Sequence, residues 1–240
     1  MTDGFSTGIG RQVQLACAWS GIALLVIALG GMSLAGILPV PPAAYETPAQ
    51  VVAFYTAHPV RIRIGLTLAC VGVCLIGPLT ALITLQMLRM ERHRPPILSM
   101  LQAICAAVTW VMLLVPFIIL NVAAFRPDRN PEITQALTDL GFLLFLTPVG
   151  PFLIQNFAIG GAILADRSSP PVMSRWVGYA NFLVGLLFVP ALLAVFFKTG
   201  PFSWHGVFVF YIGVIVYGAW VLLMSLTTRA AIHHAGAVER

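Results

Sequence analysis

Of 240 residues, 59% are hydrophobic and only 9% charged, against roughly half and a quarter in soluble domains. The composition is that of a membrane protein and leaves no room for a separate soluble domain. The net charge of +5 is spread over turns and tails, whereas a nucleic-acid surface needs a concentrated basic face; nucleic acid is set aside as a partner, and the charge reads as topology and contact with anionic headgroups of membrane lipids.

A helix that crosses the hydrocarbon core needs about 20 apolar residues, and six segments reach that length, at about 15–38, 62–88, 97–124, 139–165, 174–197 and 204–228. Their connections are short, which predicts an all-α polytopic bundle of six transmembrane helices forming one domain over residues 1–240. The first segment offers small residues at Ser33-Leu34-Ala35 where a secretory signal would be cut, but the run is too long for a signal peptide and an uncleaved span is expected. Next, Thr47-Pro48-Ala49-Gln50 combines a capping Thr, proline at the first helical position and Gln three residues on. It predicts a short helix through about His58, with Val51, Val52, Phe54 and Tyr55 on an apolar side lying in the outer interface.

Helix breakers then interrupt four successive spans. The second holds Gly77-Pro78 and leads through a basic turn, Arg89 to Arg94, to Pro95-Pro96; the third holds Val115-Pro116 and leaves the membrane at Phe125-Arg126. Asn130-Pro131-Glu132 starts a helix running into the fourth span, with Glu132 near its positive end. The fourth span holds Pro148 and Gly150-Pro151 and leads past Arg167 to Pro170-Pro171; the fifth holds Val189-Pro190 and leaves at Phe197-Lys198. From Pro78 to Pro96 is 18 residues and from Pro151 to Pro171 is 20, while the next steps, to Pro116 and to Pro190, are 20 and 19. The match suggests a tandem hairpin repeat, 62–126 and 139–198, about an axis near the membrane normal; coincidence among 17 prolines is the alternative.

A proline inside a helix removes a backbone hydrogen bond and costs about 3 kcal/mol. Lipid cannot satisfy the freed carbonyls, so broken backbone must face protein or a cavity. The breaks at Pro78, Pro116, Pro148, Pro151 and Pro190 are therefore expected either to enclose a pocket or to be inert kinks. Thr147 can donate locally to the freed backbone. Asn156 and Asn181 lie at similar depths on adjoining helices, with Gln155 and Tyr179 nearby. Their amides would serve as interhelical glue, worth about 0.6 kcal/mol on average, or as a polar floor beneath a ligand. Asn121, near the outer end of the third span, is open to the same two readings. The candidate ligand-binding residues are thus Asn121, Thr147, Asn156, Tyr179 and Asn181.

With the N-terminus cytoplasmic, Arg11, Arg89, Arg92, Arg94, Arg167, Arg175, Arg229 and Arg240 lie inside, and Arg61, Arg63, Arg126, Arg129 and Lys198 outside. The bias favours both termini in the cytoplasm.

Chemistry is bounded mainly by what the spans lack. Asp3, Glu46, Glu91, Asp128, Glu132, Asp139, Asp166 and Glu239 fall in tails, turns or span ends, so the ionisable relay of a proton-coupled transporter is missing, as are paired buried carboxylates for acid and base work. The five His (His58, His93, His205, His233 and His234) form no HExxH and no opposed mid-membrane pair for haem. Cys17, Cys70, Cys74 and Cys105 lie in spans, form no CxxC and read as small packing residues. No cofactor, metal or catalytic residue is assigned. An outer-face polar cluster remains: His58, Arg61, Arg126, Lys198 and His205, with Asp128 the carboxylate that could join it. If His58 and His205 met across the bundle mouth they could hold a metal or an anionic headgroup; apart, they are polar end groups.

The stretch SRWVGYANFLVGLLFVPALLAVFFKTGPFSWHG, Ser174 to Gly206, resembles a block in a group of uncharacterised bacterial multi-pass membrane proteins of similar length, and AFYTAHPVRIRIG, Ala53 to Gly65, resembles their segment before the second span. The resemblance implies six spans in a bacterial cytoplasmic membrane and carries no activity. Three functional readings stand: a protein that binds or transfers a hydrophobic ligand such as a lipid or isoprenoid, a non-catalytic subunit of a larger membrane assembly or homo-oligomer, and an enzyme acting on lipid headgroups at the outer face.

Overall fold

The computed structural model describes residues 8–126 and 128–238; Asp3, Glu239 and Arg240, used in the charge reading, lie outside them. The described chain is all-α, with no strand. In order run α1 (Gly8–Leu34), α2 (Pro48–Ala57), α3 (Pro59–Cys74), α4 (Ile76–Met90), α5 (Ile97–Phe125), α6 (Pro131–Leu146), α7 (Val149–Leu164), α8 (Arg175–Leu187), a 3-10 segment (Val189–Val195), a π turn (Val207–Tyr211) and α9 (Ile212–Val238). Six stretches are long and apolar enough to cross a membrane: Ile9–Leu34, Pro59–Met90, Ile97–Phe125, Pro131–Leu164, Arg175–Val195 and Val207–His234. The second is α3 with α4 and the fourth α6 with α7, each a broken helix.

The first span starts and stops several residues before the apolar run does. Its end is set by Gly36, whose φ of +79° lets the chain turn where a residue with a Cβ would be strained; Ile37 and Leu38 then donate back to the Met32 carbonyl at 3.0 and 3.3 Å. The short helix α2 begins as its residues dictate. Gln50 N–H donates to Thr47 Oγ1 at 3.4 Å and Thr47 N–H to Gln50 Oε1 at 2.8 Å, a reciprocal cap. Its apolar side is pressed onto α6, burying Val51 and Tyr55. Asn130 Oδ1 likewise caps α6, accepting from Glu132 N–H at 2.9 Å.

Each span packs on its neighbours in the chain, and the ring closes where α1 meets α9. The seam between α1 and α3 is built of small residues: a Cβ on Gly31 would stand 2.6 Å from the Ala69 nitrogen and the Gly65 oxygen, and one on Gly72 would stand 2.5 Å from the Ala28 nitrogen. Such close approach of backbones is how membrane helices gain packing where lipid offers no hydrophobic drive. At the closing seam, a Cβ on Gly21 would fall 2.2 Å from Ser225 Oγ, and Arg11 Nη2 meets His233 Nδ1 at 3.0 Å.

Candidate functional site

Residues near several of the proline sites gather around one cavity. An apolar cavity of about 80 Å³, not fully enclosed, is lined from all six spans: Leu24, Leu25 and Met32 of α1, Val73 before the α3–α4 break, Phe117 beside Pro116, Phe145 and Leu146 before Pro148, Phe188 and Ala191 flanking Pro190, and Val209 of the π turn with Gly213 and Tyr217 beyond it. Phe117, Ala191 and Val209 are buried, while Gly150, Val189, Leu192 and Leu193 at the fourth- and fifth-span breaks are exposed. At the fourth-span break one freed carbonyl, that of Thr147, is served. Thr147 Oγ1 donates to the Leu143 carbonyl at 2.7 Å, and Val149 N–H donates to the Thr147 carbonyl at 2.7 Å, the oxygen that Pro151 cannot serve. At Gly77-Pro78 the bend is covered by the ring of Trp110, so close that a Cβ on Gly77 would meet it at 2.9 Å. The two prolines at corresponding places of the third and fifth spans behave differently: Pro116 sits within unbroken α5, whereas at Pro190 the helix tightens into the 3-10 segment.

One side of the cavity is aromatic. Phe188 and Tyr217 line it, and Phe152 packs edge-on against Phe188 and Trp220 with centroids 4.8 and 5.1 Å away. Trp220 Nε1 donates to Asn181 Oδ1 at 3.0 Å, and Asn181 Nδ2 donates to the Val177 carbonyl at 2.8 Å. The Asn181 carbonyl and amide are thus engaged, and its effect on the cavity passes through the indole it holds. Tyr217 differs: its hydroxyl is buried and has no hydrogen-bond partner. It lies ten residues into the last span, so about 15 Å from that end, near the bilayer midplane. A buried unpaired hydroxyl costs about 1–3 kcal/mol.

The other sequence candidates fall in separate places. Asn156 is fully buried on α7, its amide donating to its own helix at Phe152, 2.8 Å away, and its Oδ1 without a partner; no hydrogen bond joins it to Asn181. Asn121 donates to the Phe117 carbonyl at 3.0 Å and to Cys70 Sγ at 3.7 Å. Tyr179 is 62% exposed on the outside of α8, away from the cavity. At the end carrying α2, His58 is the exposed joint between α2 and α3. Arg61 Nε donates to the Leu34 carbonyl at 3.0 Å; Arg126 lies 5.8 Å from the Phe125 ring centroid; the charge of Lys198 acts on Asp139.

His205 is drawn inward instead. Its Nδ1 accepts from Ala44 N–H at 3.1 Å, its Nε2 stands 3.3 Å from Ser203 Oγ, and Tyr45 packs on it edge-on at 5.5 Å. Burial lowers its pKa below the ordinary 6.5, partly opposed by the charge of Glu46. With Trp204, whose Nε1 donates to the Pro42 carbonyl at 3.0 Å and whose ring stacks on Phe142, it pins the loop after α1 across this end of the bundle. Among the described residues no group of three or more His, Cys, Asp or Glu is placed to hold a metal.

Further buried polar side chains lie toward the opposite end, of which only Gln155 stood out in the sequence. Gln86 on α4 and Gln102 on α5 are fully buried, with Nε2 of each lacking a partner, and Gln155 Oε1 and Ser225 Oγ are in the same state. The signal available was a glutamine two turns or less from the membrane surface in each of two adjoining spans. Glu91, read only as a turn residue, is 4% exposed and accepts from Ser99 N–H at 2.9 Å and Ser99 Oγ at 2.6 Å, capping α5 from the preceding turn. Compared with family models, with curated proteins and with solved structures, this six-span chain matches none.

Proposed function

We propose that the protein binds the end of a hydrophobic molecule, a lipid or isoprenoid chain bearing one hydrogen-bonding group, in the cavity where its broken helices meet. The observation that carries the reading is the Tyr217 hydroxyl, buried without a partner beside an apolar cavity. Whole-ligand pockets begin at roughly 300 Å³, and this one is about 80 Å³; it suits the terminus of a long molecule whose remainder lies between the spans and the bilayer. In this reading the outer loop held by Trp204 and His205 closes one end of the bundle. The setting is the cytoplasmic membrane of a bacterium with both termini inside, by the arginine bias and the resemblance of the Ser174–Gly206 block. The two hairpins, 62–126 and 139–198, are read as copies of one unit that builds part of the cavity wall, the first and last spans supplying the rest.

The test is native mass spectrometry of the full chain extracted in mild detergent, with two variants. Gly213 lines the cavity and a Cβ there meets nothing within 4 Å, so G213L fills it without a clash at the backbone. Y217F removes the hydroxyl alone. A small molecule of defined mass that is retained by the parent, lost from G213L and weakened in Y217F supports the proposal. Retention unchanged in both variants overturns it, and a stoichiometric protein companion in place of the small molecule favours the subunit reading.

A further inference from the structure

A second, larger cavity of about 830 Å³ opens at the other end of the bundle, between the α4–α5 turn, the α7–α8 loop and the last turns of α9. Among the described residues its charged lining is basic: Arg89, Arg92, Arg94, Arg167, His93 and His234. The two carboxylates nearest in sequence are committed elsewhere. Glu91 caps α5 through Ser99, and Asp166 folds its own loop, accepting from Ser168 N–H at 2.9 Å and Val172 N–H at 2.8 Å; both are buried. Arg94 bridges the two turns by donating to the Ala165 carbonyl, which fixes the walls relative to each other. Arg92 and Arg167 are exposed.

Positive charge at this end would serve topology wherever it stood. Its collection around one concavity, with Glu91 and Asp166 turned into the chain and Ser168 and Ser169 on the wall, is a different matter. We infer that this cavity is a binding site for a phosphate-bearing anion, held by guanidinium groups from two separate turns. Arginine is suited to it because its planar fork donates two parallel hydrogen bonds to phosphate oxygens, and the volume lies in the range of ligand pockets. The chemistry is shared by an anionic phospholipid headgroup and a soluble phosphorylated compound. The inference does not depend on the apolar cavity.

The test uses the full chain in dodecyl maltoside, so that topology in the cell has no part in it. In one arm, phosphatidic acid and phosphatidylcholine of matched acyl chains compete at equal concentration and bound lipid is read by native mass spectrometry. In the other, inorganic pyrophosphate is titrated at constant ionic strength and thermal stabilisation is followed. The variants are R92Q, R167Q and their combination, with R175Q as control, since Arg175 is an exposed arginine of the same end outside the cavity. One arm or the other should show saturable preference for the phosphate, and each cavity arginine removed should weaken it about fivefold, with R175Q unchanged. The arm that responds identifies the source as headgroup or soluble compound. No preference in either arm, or an equal loss in R175Q and R167Q, overturns the inference.

Discussion

Gly30 and Gly31 are adjacent on α1, yet substitution by Ala should act on them in opposite directions. A Cβ on Gly30 meets nothing within 4 Å, whereas on Gly31 it would stand 2.6 Å from two backbone atoms of α3, at Ala69 and Gly65. Neither atom is the end of a flexible side chain, so the helices themselves must part by about 1 Å to restore ordinary contact, and overpacking of that kind costs about 1–3 kcal/mol. Ala also favours the helix over Gly by about 1 kcal/mol. G30A is thus expected to be more stable than the parent by up to about 1 kcal/mol, and G31A to be the less stable of the two variants by about 1–3 kcal/mol. The propensity gain is common to both and cancels in the comparison. Reversible unfolding in mixed dodecyl maltoside and dodecyl sulfate micelles, followed by tryptophan fluorescence, measures the difference directly. Equal stability of G30A and G31A would refute the close α1–α3 seam and the ring of spans that depends on it.

Y217F in ligand-free protein should be neutral or more stable by about 1–2 kcal/mol, because it removes a buried hydroxyl without a partner; a clear loss of stability in the same micelle titration would show that the hydroxyl is bonded. W220F strands Asn181 Oδ1 in the core and should cost about 1–3 kcal/mol, while adding N181L should cost less than the two single losses combined, as a double-mutant cycle would record. E91A removes the cap of α5 and should cost about 2 kcal/mol, with E91Q, which keeps an accepting oxygen, losing less; thermal unfolding distinguishes them. For His205, burial puts the folded pKa below the unfolded 6.5, so its contribution is complete above pH 6.5 and is lost as pH falls through the folded value. Hydrogen exchange at the Ala44 amide should accelerate from pH 7 to pH 5 beyond the intrinsic trend, and H205F should abolish that excess.

The span count and the breaks in the second, fourth and fifth spans were readable because both rest on local chemistry, apolar length for the first and proline without an N–H for the second; Pro116 alone leaves its helix unbroken. The start of α2 was readable for the same reason, since Thr47, Pro48 and Gln50 satisfy one another within four residues. Partners across the bundle were not. The sequence suggested that Asn181 would meet Asn156, but which side of α8 faces which neighbour depends on how α7, α8 and α9 rotate together, and the indole of Trp220, 39 residues away, takes the amide oxygen. His205 looked like a free polar end for the same reason; its partner Ala44 is a backbone group 161 residues earlier, and backbone donors carry no signature in a sequence. Tyr179, two residues from Asn181, stands exposed on the opposite face of its own helix, since neighbours in sequence do not share a helix face.

The order of the spans around the ring has a consequence for biogenesis. Each newly inserted span finds a packing partner already in the membrane, so most of the bundle can assemble while translation continues, through contacts short in sequence separation. The junctions of α9, above all that with α1 near Gly21 and Ser225, must wait for the last helix to leave the ribosome. A nascent chain stalled before that helix should therefore hold five spans in place with one flank of α1 bare to lipid, and gain its final resistance to protease in a single late step.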